Sequence, residues 1–146
     1  MVSFIMRKDR VMKELEITAV IENLDKVLAF VDKELEEAGC PMKAQLKIDV
    51  AVEEIFVNIA NYAYRPGCGP ATIRVEVLKD PFQVILSFVD HGVPYDPLAK
   101  KDPDITLSSE ERAIGGLGIF MVKKSMDDIA YEYKDGHNIL TIKKNL

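Results

Sequence analysis

Between Ile48 and Tyr64 the chain keeps helical spacing, yet apolar side chains stand on nearly every side of the projected helix: Ile48, Val50, Val52, Ile55, Phe56, Val57 and Ile59. Such a helix is expected to be buried all round, because a surface helix gathers its apolar residues into one stripe. The remaining segments therefore have to cover a helix running from about Met42 to Tyr64, ended by Pro66-Gly67.

Ahead of it, Leu15 and Ile17 alternate with Glu14, Glu16 and Thr18 as in a half-buried strand. From Ile21 to Ala38, apolar Leu24, Val27, Leu28, Val31 and Leu35 recur at helical spacing, with Gly39 as the stop and Pro41 beyond it. Behind the buried helix, Ile73, Val75 and Val77 alternate with Thr72, Arg74 and Glu76. Lys79-Asp80-Pro81 turns the chain into Phe82 to Val89, a denser apolar run expected of a central strand. A third helix spans Ile119 to about Met126, opened by Gly115-Gly116-Leu117-Gly118. Ile129, Tyr131 and Tyr133 then alternate, Asp135-Gly136 turns, and Ile139 to Lys143 returns. Grouped helices and strands joined by tight turns predict an α+β fold. Its expected form is a two-layer sandwich, a mostly antiparallel mixed sheet with about three helices on one face. No repeat or linker interrupts the 146 residues, so residues 1–146 read as a single domain.

Composition narrows the partners. A net charge of −5 gives no electrostatic reason to expect nucleic acid or an anionic membrane. Cys40 and Cys68 are the only cysteines and form no C-x-x-C pair, which argues against a disulfide framework or zinc site and for a reducing cytoplasm. Met1 to Arg10 is too short and too charged for a signal peptide or a spanning helix, so the chain is read as cytoplasmic and mature from its first residues.

Three features carry chemistry. Glu54 and Asn58 stand one turn apart on one face of the apolar helix, and Asn61 and Tyr62 continue that polar stripe. Burying a carboxylate costs several kcal/mol (roughly), so this face lines a wet or metal-containing cavity or belongs to a structural hydrogen-bond network. Asp90-His91-Gly92-Val93-Pro94 follows the central strand. It is either an Asx turn or a carboxylate at the sheet edge able to accept from a base amine, with Gly92 giving a flat ring clearance. The glycines before the third helix free backbone N–H groups that can curl around phosphate oxygens at a helix N-terminus. No Walker A pattern and no dinucleotide fingerprint occurs. Pro94 to Ile114, with Pro97, Pro103, several charges and no clear period, is expected to be a functional lid or a mobile segment. His91 and His137 match no ligand or triad spacing.

Each feature is weak alone, but their order is specific. Glu54-x-x-x-Asn58, Asp90-x-Gly92-x-Pro94 and Gly115-Gly116-x-Gly118 resemble the N, G1 and G2 boxes of the GHKL ATPase superfamily, shared by gyrase, Hsp90 and histidine kinases. AVEEIFVNIANYAY, DHGVPYDPL and the segment from Gly115 to the C-terminus look like the anti-sigma-factor serine/threonine kinases and their histidine-kinase-like ATPase relatives. The resemblance covers nearly the whole chain. It implies the Bergerat ATP-binding fold, ATP or ADP with Mg²⁺, and a likeness of role residue by residue. Asn58 would supply an oxygen to Mg²⁺ and Glu54 would be the general base. Asp90 would read the adenine amine beside Gly92, and Gly116 and Gly118 would lie along the phosphates. Thr141 would stand where the superfamily often has a pocket threonine, and Arg112 could touch the terminal phosphate or be a solvated lid charge. Tyr62 stands where many of these kinases carry His, and Arg112-Ala113-Ile114 lengthens the segment before the glycines. The partners implied are a sigma factor, a STAS-type anti-anti-sigma protein and a second copy in a homodimer. The same boxes also serve a second reading, an ATP-binding regulatory switch that transfers no phosphoryl group. A third is an interaction domain that has lost nucleotide binding, against which the intact boxes argue.

Overall fold

A computed structural model describes residues 2–7, 10–99 and 116–146. Six strands form one sheet: β1 (Val2–Arg7), β2 (Arg10–Thr18), β3 (Pro70–Leu78), β4 (Gln83–Asp90), β5 (Asp128–Lys134) and β6 (His137–Asn145). Their spatial order is β1-β2-β3-β4-β6-β5, and all five pairings are antiparallel, so the sheet has no parallel pair among the described strands. The helices are α1 (Leu24–Glu37), α2 (Met42–Asn58) and α3 (Gly116–Ser125).

Local chemistry accounts for the ends of these elements. α1 closes in a Schellman turn: Gly39 adopts φ +80°, its N–H donates to Glu36 O, and the Cys40 N–H donates to Leu35 O. Asp135 and Gly136 both adopt positive φ, 53° and 78°, as a type I′ hairpin requires. This turn fixes the register of β5 on β6 and, through Lys134↔His137, sets Asn138 against Tyr133.

The sheet is two-faced. Ala71, Ile73, Val75 and Val77 of β3 and Val84, Leu86 and Phe88 of β4 are buried at every second position. They meet Val27, Val31 and Leu35 of α1, Ile48, Val52, Ile55 and Phe56 of α2, and Val122 of α3. Residues of the other parity face outward, where Arg74 Nε donates to Glu14 Oε1 at 2.6 Å. Glu34, 7% exposed, enters the helix–sheet layer paired with Lys13, whose Nζ lies 3.1 Å from Glu34 Oε1.

Two expectations need correction. β1 does not appear in the sequence reading. Its apolar stretch, Phe4-Ile5-Met6, is only three residues long between Ser3 and Arg7, and its strand character comes from pairing with β2. Nor is α2 buried all round. A two-layer fold leaves the outer side of its helices uncovered, so Met42, Leu46 and Val50 are 62%, 59% and 55% exposed. Cys40 and Cys68 are free thiols. No helix among the described residues is long and apolar enough to cross a membrane.

Candidate functional site

The end of α2 builds one wall of a cavity. Its last turn, Ile59–Ala63, widens into a π-helix, a distortion that tends to accompany functional sites. Asn58, Tyr62 and Ala63 thereby share the wall with Ile55 and Ile59. The chain then folds under Tyr64, whose hydroxyl donates to Pro70 O and accepts the His91 N–H at 2.7 Å. Burial pushes this phenol's pKa up. Gly69 is needed beneath the ring, since a Cβ there would meet it at 2.6 Å.

β4 supplies Asp90 as its last residue, 6% exposed. Its Oδ1 accepts the Gly92 N–H and Asn138 Nδ2, each at 2.9 Å. Directly opposite in the β4–β6 register stands Asn138, 7% exposed. Its Nδ2 also donates to Val93 O at 2.9 Å, and its Oδ1 accepts the Tyr95 N–H at 3.1 Å and the Tyr131 hydroxyl. The strap Val93–Tyr95 is thus tied over the end of the sheet. Its other anchor is the Val93 N–H on Ala63 O at 3.1 Å. Burial raises the Tyr131 pKa, so this hydroxyl stays protonated as a donor at neutral pH.

The cavity, open on one side, holds about 160 Å³, with Phe88 and Leu140 as floor, α2 as one wall, Pro94, Tyr95 and Pro97 above, and Ile119 of α3 beside it. A cavity of about 150 Å³ with apolar walls accepts one benzene ring. The space therefore suits a flat aromatic ring, and among its lining residues Asp90 is the carboxylate. Beside it, Glu54 lies one turn before Asn58 and packs on the start of α3. A Cβ on Gly118 would sit 2.2 Å from Glu54 Oε2.

The sequence-predicted residues are sorted by this geometry. Asn58 and Asp90 share the cavity, and Glu54 with Gly118 adjoins it. Gly116 opens α3. Gly92 borders the helix rather than open space: a Cβ there would meet Ala63 O at 2.2 Å and Ala63 C at 2.6 Å. Its missing side chain makes room for the end of α2. The expectation for Thr141 is corrected. It lies between inward-facing Leu140 and Ile142, so it points to the opposite face, where its hydroxyl lies 3.3 Å from Ser87 Oγ. Arg112, Gly115 and the lid beyond Ala99 lie outside the described residues. Sequence reasoning missed Asn138 and Tyr131. It also missed that His91 and His137 meet, with ring centroids 4.1 Å apart, one residue beyond the Asp90–Asn138 pair.

An antiparallel sheet with helices on one face, holding a ring-sized slot lined by a carboxylate, is the arrangement expected of an ATP-binding domain. The chain belongs to the histidine kinase-like ATPase domain family, whose profile matches residues 17–144; ATP binding goes with that membership. It is 28% identical over 100 residues to the serine/threonine-protein kinase BtrW of Bordetella bronchiseptica, spanning 68% of this chain and 70% of that protein. It is also 28% identical over 111 residues to the serine-protein kinase RsbW of Listeria monocytogenes, spanning 73% of this chain and 69% of that one. Two solved structures share the fold. One is of the RsbU and RsbW domains of Rv1364c from Mycobacterium tuberculosis, with a TM-score of 0.63 at 18% identity over 91% of this chain and 32% of that one. The other is the SiaB-SiaC complex from Pseudomonas aeruginosa, with a TM-score of 0.56 at 14% identity over 90% of this chain and 89% of that one.

Proposed function

We propose that the chain is an ATP-dependent serine/threonine protein kinase of the anti-sigma type. It binds a sigma factor and inactivates a STAS-type anti-anti-sigma protein by phosphorylating one of its serines, as a cytoplasmic homodimer. The reading rests above all on one contact, the Glu54 carboxylate against Gly118 at the start of α3, one helical turn from Asn58. A base, a helix N-terminus and an amide oxygen then converge beside a slot of aromatic size. The kinase names of the two relatives support the same reaction class.

The adenine ring enters between Ile55, Phe88, Leu140 and the strap, and Asp90 accepts its exocyclic amine. The phosphates run toward α3, where the bare backbone at Gly118 and the partial positive charge of the helix end favour anions. Asn58 lines the cavity and offers a hard, neutral oxygen. Among the described residues no group of three His, Cys, Asp or Glu side chains is placed to hold a metal. A single amide oxygen such as that of Asn58 suits Mg²⁺, an ion that keeps most of its waters and would neutralise phosphate charge when bound. Glu54 takes the proton from the attacking serine hydroxyl while the new O–P bond forms. The bond from the γ-phosphorus to the bridging oxygen breaks, and ADP leaves. Positioning and charge account for most of the acceleration in such a reaction.

The test is transfer of γ-labelled phosphate from ATP to the serine of a STAS protein. Glu54→Gln keeps the side chain's size but cannot accept the proton. It lowers transfer by about 10²- to 10⁴-fold and leaves ADP affinity nearly unchanged. Saturable ATP binding with no transfer to any STAS protein overturns the kinase reading and leaves a nucleotide-driven switch.

A further inference from the structure

The helix-facing rows of β4 and β6 are apolar at Val84, Leu86, Phe88, Leu140 and Ile142; two polar residues face each other at Asp90↔Asn138, while at the far end Lys144 stands opposite Val84 and donates to Ser125 O. A buried polar pair costs stability unless every group is satisfied, so its bonds carry information. Asn138 uses its whole inventory: two donor hydrogens toward Asp90 Oδ1 and Val93 O, and an oxygen that accepts Tyr95 N–H and the Tyr131 hydroxyl. Its orientation is forced. Flipping the amide would face its oxygen against Asp90 and Val93 O and its NH₂ against the Tyr95 N–H.

The consequence falls on Asp90. Oδ1 already accepts two donors, from Gly92 and Asn138, whereas Oδ2 has no protein partner among the described residues, and Asp90 lines the cavity. A carboxylate offering one oxygen can take a single donor such as the adenine amine. A carboxylate offering both can take the paired N1–H and amine donors of guanine. We propose that Asn138 is the positioning residue that makes the pocket prefer adenine over guanine. It does so by occupying Asp90 Oδ1 and by tying the Val93–Tyr95 strap over the ring. The inference rests on the nucleotide reading of the cavity.

Asn138→Asp is the test, with ADP and GDP as probes in calorimetric titrations at pH 5.5 and 8. The variant keeps the acceptor for Tyr95 and Tyr131 but replaces the donor to Asp90 by a second carboxyl. Two facing buried carboxyls share a proton at low pH and repel when both are ionised. Relative to wild type at the same pH, ADP affinity is expected to fall about tenfold or more at pH 8 and to recover at pH 5.5. The ADP-over-GDP preference falls and recovers with it. A purely structural role for Asn138 predicts that ADP and GDP affinities fall and recover together, with the preference unchanged. A thermal melt at each pH reports whether the variant is folded. Tyr131→Phe, which removes only the hydroxyl holding Asn138 Oδ1, is the second variant and is expected to lose part of the same preference. Unchanged affinity and preference in both, or an Asn138→Asp loss that is equal at the two pH values, overturns the proposal. If wild type binds neither nucleotide, it is the nucleotide reading that fails.

Discussion

Replacing Gly118 by alanine puts a methyl carbon 2.2 Å from Glu54 Oε2 and 3.0 Å from its Cδ. Ordinary contact begins near 3.4 Å, so the carboxylate has to retreat by about 1 Å, a displacement that can cost about 10²-fold in rate when it moves a catalytic group. The obstacle is the far end of a flexible, half-buried side chain, and Glu54 swings aside without disturbing the core. Stability should move the other way. Alanine is favoured over glycine in a helix by up to about 1 kcal/mol, somewhat less in the first turn, so Gly118→Ala melts at or slightly above the wild-type temperature. The assay pairs thermal melts with single-turnover phosphoryl transfer at saturating ATP. Transfer is expected to fall by about two orders of magnitude with Tm preserved. Wild-type transfer by a folded Gly118→Ala protein would refute the idea that Glu54 acts from its contact with the start of α3. A drop in Tm that accounts for the lost activity would refute the steric reasoning.

Away from the cavity, Asp49 of α2 and Asp32 of α1 each hold an Oδ1 sealed from solvent without a hydrogen-bond partner. Burial, then the nearby Asp32 and Glu36 carboxylates, push the Asp49 pKa up to about 7 from 3.8. The folded protein binds that proton more tightly than the unfolded chain, so the stability it contributes is full below about pH 4 and is lost as pH rises to about 7. Asp49→Asn removes the titration. Its Tm relative to wild type should therefore climb between pH 5 and 8, and a difference that stays constant across that range contradicts the assignment.

Much of the fold was legible because apolar spacing differs between its elements. Alternation marked β3 and β5, and the 3.6-residue period with Gly39 marked α1. The errors share a cause: spacing reports which residues are apolar, not how many layers cover them. α2 was placed in the interior on the strength of residues such as Val50, which faces solvent because no third layer exists among the described residues. β1 takes its strand character from β2, a partner only the folded chain supplies. At the site, the carboxylates and glycines stood out as exceptions to pattern. Asn138 did not, since it follows an Asp-Gly turn and reads as an ordinary strand start. Parity would have found it. Leu140 and Ile142 set the inward register of β6, which puts Asn138 inside and Thr141, in step with Lys143, outside. The π-turn of α2 leaves no mark in the sequence, and with it the close fit of Gly92 on Ala63 stayed hidden.

The most direct test of the account is a calorimetric titration of wild type and Asp90→Asn with ADP and Mg²⁺. The amide introduced by Asp90→Asn can still accept the Gly92 N–H through its oxygen, but it then turns an NH₂ toward the adenine amine where Oδ2 had been. Losing one charge-assisted hydrogen bond is worth about 1.5–3 kcal/mol, or roughly 10- to 150-fold in affinity. The account predicts saturable binding by wild type and at least that loss in the variant, with both proteins folded. Equal affinity in the two, or no binding by wild type, contradicts it.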